Sequence, residues 1–183
     1  MGVRLAEELR APFSMLCEEL GRSPVRVKWV DAEKAHFTLR FLGEIDERET
    51  DSISESLEIA VSTISSFSVR VRGIGAFPRI HKPNVIWAGI HPSDGPVAEL
   101  KTAVDAALAE HGFPRERRAF RPHFTLGRVK DRTVAGHLAK PLRKLADANI
   151  GTMEVRDVAF IRSTLRPQGP LYENLAVFRL GDQ

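Results

Sequence analysis

The stretch Ala35–Phe41, AHFTLRF, holds a His-Phe-Thr-Leu order that returns at Pro122–Arg128, PHFTLGR. The two histidines, His36 and His123, are 123 − 36 = 87 residues apart in a chain of 183. Side chains at i, i+2 and i+4 of a strand share a face. Read as a strand, the first copy sets His36, Thr38 and Arg40 on one side and Phe37, Leu39 and Phe41 on an apolar other side. The second copy sorts Arg121, His123 and Thr125 from Pro122, Phe124 and Leu126. A helix would turn residues two apart by about 200° and part each histidine from its threonine. Each copy therefore reads as a strand with a greasy back and an ionisable front.

Working outward, Leu5, Leu9, Phe13, Leu16 and Leu20 fall at helical steps and predict a helix over 4–20, stopped by Gly21. Alternation predicts strands at 25–30, 35–42, 67–77, 84–90, 119–129, 153–165 and 172–180. Helices are expected at 46–64, 97–112 and 132–146, with PRIHKP (78–83) as a loop and RPQGP as a hairpin turn. Nothing in composition divides the chain, so 1–183 reads as a single bilobal domain with approximate duplicated halves 1–77 and 84–163 and a closing strand at 172–180. The second half opens with a strand before its first helix. The first half shows none, so its N-terminal strand is expected to be missing, through an upstream start or a sheet one strand short.

Two histidines facing each other across a cleft can act as base and acid in one step. Threonine hydroxyls can donate to an oxygen as its charge grows, and arginine adds charge with fixed geometry. A phosphodiester attacked on one side and cleaved on the other needs this arrangement. Zinc fits poorly: its sites take three or four protein ligands, the chain has one cysteine, and no carboxylate shares either histidine face. No metal and no cofactor is expected.

The other residues keep two readings. Arg40 and Arg121 hold a phosphate or are solvated strand arginines. Arg79, His81 and Lys82 lie along an RNA backbone or make an exposed loop. Phe77 and Trp87 stack a base or belong to the core. Arg115, Arg117, Arg118 and Arg121 form the densest basic stretch, a candidate phosphate track. Cys17, among Met15, Leu16 and Leu20, reads as a small buried hydrophobe rather than a nucleophile. His91, His111 and His137 are given no chemistry; His111 suits the end of a helix.

The charge is close to balanced, +3 with a pI near 9.3, and does not by itself announce nucleic acid. Twenty arginines against seven lysines favour phosphate forks. No apolar run is long enough to span a bilayer, the N-terminus reads as a helix rather than a signal peptide, and one cysteine fits a reducing cytoplasm.

The segments HFTLRFLGE (36–44), VRGIGAFPRIHKPNVIWAGI (71–90), RPHFTLGRVK (121–130) and STLRPQGPLYENLAVFRL (163–180) give the sequence a resemblance to the 2H phosphoesterases. Within them it is most similar to the RNA 2′,3′-cyclic phosphodiesterases, historically called 2′-5′ RNA ligases. The resemblance covers nearly the whole chain from about Leu5. It implies an α+β fold of two pseudo-twofold-related β-α lobes, with antiparallel sheets flanking a central cleft, and no metal. It also implies roles: His123 as the base that activates water, His36 as the acid for the departing ribose 3′-oxygen, and Thr38 and Thr125 as donors to the non-bridging oxygens. The implied partner is RNA with 2′,3′-cyclic phosphate ends, or tRNA-like fragments, acted on by a monomer. A 2′-5′ ligase running the same site backward, or an RNA-binding module without turnover, are the alternatives.

Overall fold

A computed structural model describes residues 1–116, 118–131, 133–166 and 169–182. Arg117 of the basic stretch, Arg132 at the start of the expected last helix, and Pro167 and Gln168 of the hairpin turn lie outside the described residues. In chain order the elements are β1 (Gly2–Arg4), α1 (Arg10–Gly21), β2 (Val27–Trp29), β3 (His36–Thr38), α2 (Thr50–Ser62), β4 (Phe67–Arg79) and β5 (Lys82–His91). Then come α3 (Pro96–Glu110), β6 (His123–Val129), α4 (Ala139–Lys144), β7 (Asn149–Val155), β8 (Asp157–Arg166) and β9 (Gly169–Arg179).

The helices follow their apolar spacing. α1 buries Phe13, Leu16, Cys17 and Leu20, and α2 buries Ile53, Leu57 and Val61. Pro96 opens α3, where its missing N–H costs nothing, and Gly112 at φ 80° follows its end. Gly21, expected as a stop, is instead the last residue of α1. The expected helix 132–146 shortens to α4 behind a 3₁₀ turn at Ala135–Leu138. The expected PRIHKP loop is mostly strand: Arg79 pairs with Lys82, leaving Ile80 and His81 to turn.

The strands form one curled antiparallel sheet, ordered β7-β4-β5-β6-β3-β1-β8-β9, with β2 continuing the β3 edge of β6. The order mirrors itself about the β6–β3 pair: each His-Phe-Thr strand has an outer neighbour, β5 or β1, and then the long strand of a hairpin, β4 or β8. The halves also exchange strands. β4 follows α2 yet pairs with β5; β8 follows α4 yet pairs with β1.

Two sequence expectations are corrected. The N-terminal strand is present: β1 pairs with β3 (Val3 opposite Phe37) and with β8 (Gly2 opposite Ala159). Three residues, one of them glycine, are too few to show alternation, so only the pairing reveals it. The expected strand at 153–165 is two strands. β7 pairs with β4 and β8 with β1, and the chain crosses at Arg156 from one edge of the sheet to the strand next to the other edge.

Behind the sheet the core is continuous. Phe37 and Phe124 are fully buried and meet edge to face, 5.5 Å between ring centroids.

Candidate active site

Phe37 lies directly opposite Phe124 in the β3–β6 ladder. In an antiparallel pair the two numbers sum to a constant, so His36 lies across from Thr125 and Thr38 across from His123. Opposed residues share a face, and both His-Thr pairs stand on the face away from the Phe37–Phe124 contact. The histidines are diagonal neighbours on adjacent strands, about 7–8 Å apart at the backbone.

Both rings are held the same way. His36 Nδ1 donates to the Lys34 carbonyl at 3.0 Å, and His123 Nδ1 donates to the Arg121 carbonyl at 2.6 Å. A carbonyl only accepts, so the hydrogen of each neutral ring belongs on Nδ1. Among the described residues, no hydrogen bond engages Nε2 of either ring, which leaves it open to a substrate. Burial pulls both imidazoles below their usual pKa, the carbonyl bonds opposing this. The amino terminus and Arg4 lower His36 further, and Arg128 lowers His123 further.

Each ring has an aromatic neighbour from a hairpin. Phe77 of β4 meets His123 edge to face at 5.1 Å, with the Trp87 indole of β5 at 6.1 Å. Tyr172 of β9 meets His36 edge to face at 5.2 Å. The space for these rings comes from glycines. A Cβ on Gly75 would overlap the Trp87 ring, and one on Gly2 would stand 3.2 Å from His36 Cδ2.

Of the residues read from sequence, the structure brings together His36, Thr38, His123, Thr125, Phe77 and Trp87. Arg40 does not join them. The strand ends at Thr38, so alternation does not carry Arg40 onto its face, and it turns inward at 6% exposure. There it bonds the Pro114 carbonyl and pairs with Asp105 (3.6 Å) and Glu116 (3.8 Å), beside the Lys101–Asp105 ion pair. Phe41, expected on the apolar side, is 75% exposed for the same reason. Arg121 is exposed and serves His123 through its carbonyl. Arg79 and Lys82 are exposed at the β4–β5 hairpin end, where His81 contacts Arg143 of α4 at 3.0 Å. His111 bonds Ser56 at 2.9 Å on the helical side. Burial pushes the Cys17 thiol up to about 12, aided by Glu18, which suits an inert core residue. Among the described residues, no three His, Cys, Asp or Glu side chains group to hold a metal.

Tyr172 and Arg4 were missed in the sequence. Tyr172 lies in the STLRPQGPLYENLAVFRL segment, where a signal existed; nothing local marked Arg4.

The model of the 2'-5' RNA ligase superfamily matches residues 6–166. An Aeropyrum pernix protein named RNA 2',3'-cyclic phosphodiesterase is 36% identical over 163 residues, covering 89% of this chain and 92% of its own length. One of that name from Archaeoglobus fulgidus is 38% identical over 152 residues, 83% of each chain. Among solved structures, TT0787 of Thermus thermophilus superposes with a TM-score of 0.83 at 28% identity, covering 100% of this chain and 97% of that one. E. coli LigT complexed with 3'-AMP shares the fold, with a TM-score of 0.75 at 20% identity over 98% and 95% of the two chains. Family model, relatives and fold agree: the chain belongs to the 2'-5' RNA ligase superfamily.

Proposed function

We propose that the chain hydrolyses RNA 2′,3′-cyclic phosphodiester ends to 2′-phosphomonoesters, using His36 and His123 as paired proton handlers. The observation that carries this is the β3–β6 register, with each histidine across from the other's threonine and, among the described residues, no hydrogen bond on either Nε2. The proposed step balances without a cofactor. Water attacks phosphorus and gives a proton to His123 Nε2. The P–O3′ bond breaks, and O3′ takes a proton from His36 Nε2. Thr38 and Thr125 donate to the non-bridging oxygens as their charge grows. Relatives named RNA 2',3'-cyclic phosphodiesterase support the substrate class. We read Arg79 and Lys82 as the track for the RNA body, Phe77 as a wall for the terminal nucleoside, and the working form as a monomer in a reducing cytoplasm.

The test is incubation of the purified protein with EDTA and an oligonucleotide ending in a 2′,3′-cyclic phosphate, with the product identified by phosphorus NMR. A 2′-phosphate is expected. Tight binding without conversion, or a 3′-phosphate product, would reject the reading.

A further inference from the structure

The mirror symmetry of the site is broken on the two strands that flank it. Across from His123 on β5 stands Gly89, with no side chain; across from His36 on β1 stands Arg4. Across from Thr125 stands Trp87; across from Thr38 stands Gly2. One flank thus carries a guanidinium and the other an indole. Arg4 is half-buried, and its Nη2 donates to Asn174 Oδ1 on β9. Its Nε is buried without a hydrogen-bond partner, and no carboxylate pairs with it among the described residues. A guanidinium brings five N–H donors, so most of its capacity is uncommitted and lies beside His36.

We propose that Arg4 is a further catalytic residue, contacting the phosphate on the His36 flank and fixing which ester oxygen departs. This rests on the function proposed above. In the in-line step the attacking water is neutral, whereas negative charge builds on the departing oxygen and the equatorial oxygens. A fixed cation therefore stabilises the transition state more on the departing side than on the attacking side. With Arg4 at His36, O3′ leaves toward His36 and water enters beside His123, where no side chain opposes the histidine on β5. His36 is faced by Arg4, the amino terminus and the Tyr172 ring edge. Arg4 also makes its imidazolium a stronger acid, which suits proton donation; burial pulls the amino terminus down to about 5, so near neutral pH that amine adds little charge. Asn174 is the positioning residue that holds the guanidinium.

Arg4→Met, Arg4→Lys and Asn174→Ala are compared with wild type and His36→Ala on 2′,3′-cyclic AMP, over a pH series. By analogy with removal of one transition-state donor, Arg4→Met is expected to lower kcat by about 10²–10³-fold. The limb of the pH profile set by His36 moves to higher pH in Arg4→Met, while the His123 limb stays. Arg4→Lys, which keeps the charge and loses the fork, recovers part of the rate and the wild-type limb. Asn174→Ala, at an exposed position, lowers kcat with KM little changed. It carries the test if circular dichroism shows Arg4→Met misfolded. Arg4→Met within threefold of wild type and with an unmoved limb overturns the proposal, as does an unchanged kcat in Asn174→Ala when Arg4→Met cannot fold. If His36→Ala also retains activity, the histidine-pair reading itself is lost.

Discussion

An imidazole that gives its Nδ1 hydrogen to a backbone carbonyl two residues back cannot rotate freely, and only Nε2 is left for chemistry. Losing that nitrogen is expected to cost roughly 10²–10⁴-fold in kcat/KM for His36→Ala or His123→Ala; losses under tenfold in both would refute general acid-base catalysis here. The proposed step needs one ring charged and the other neutral. Burial lowers both pKa values, so at neutral pH the free enzyme mostly lacks its charged acid. The kcat/KM profile should be a bell with its maximum on the acid side of neutrality. A plateau from pH 5 to 9 would contradict this. At this scale the sequence was informative where the residue lay within a strand. His36, Thr38, His123 and Thr125 share the face that alternation gave them. Arg40 sits two residues past the end of β3, where alternation no longer holds, and its inward turn depends on Asp105 and Glu116 far along the chain.

Among elements, the Arg40–Asp105–Lys101–Glu116 group fastens three pieces together: the segment after β3, helix α3, and the loop that leads into β6. Lys101 also lies 5.8 Å from the Phe120 ring centroid in that loop. Asp105 is 8% exposed. Replacing it with alanine leaves two buried cations with Glu116 alone, and should cost about 3–5 kcal/mol in urea unfolding; a change under 1 kcal/mol would mean the group is solvated. Strand positions were legible because apolar residues alternate, but strand breaks were not. Met153 and Val155 are buried in alternation before the crossing, whereas Val158, Ala159 and Phe160 are buried in a row after it, so alternation breaks where β7 gives way to β8. β1 offers no such mark in three residues. Its strand character is decided by what it lies between.

At the scale of the molecule, the exchange of β4 and β8 means that neither half completes its own part of the sheet. A fragment 1–80 should stay unfolded by circular dichroism, and mixing it with 81–183 should restore structure and turnover; independent folding of either piece would contradict the exchanged topology. The repeat pointed to matching halves, whereas the crossed strand pairing was not legible, because pairing across the chain leaves no local pattern. The proposed RNA track also belongs at this scale. Losing two phosphate contacts in Arg79→Ala with Lys82→Ala should reduce the slope of log K against log salt by about 1.4, measured on a single-stranded oligonucleotide; an unchanged slope would remove the hairpin from the RNA path.

The contact between Phe37 and Phe124 works like the rivet of a calliper. The two jaws are the imidazoles, and their gap is set from the dry side of the sheet, by a joint no solute reaches. Trimming either ring to leucine would remove no proton-handling group yet shift the jaw opening, so the size of ester that fits would be retuned from a position that never meets it.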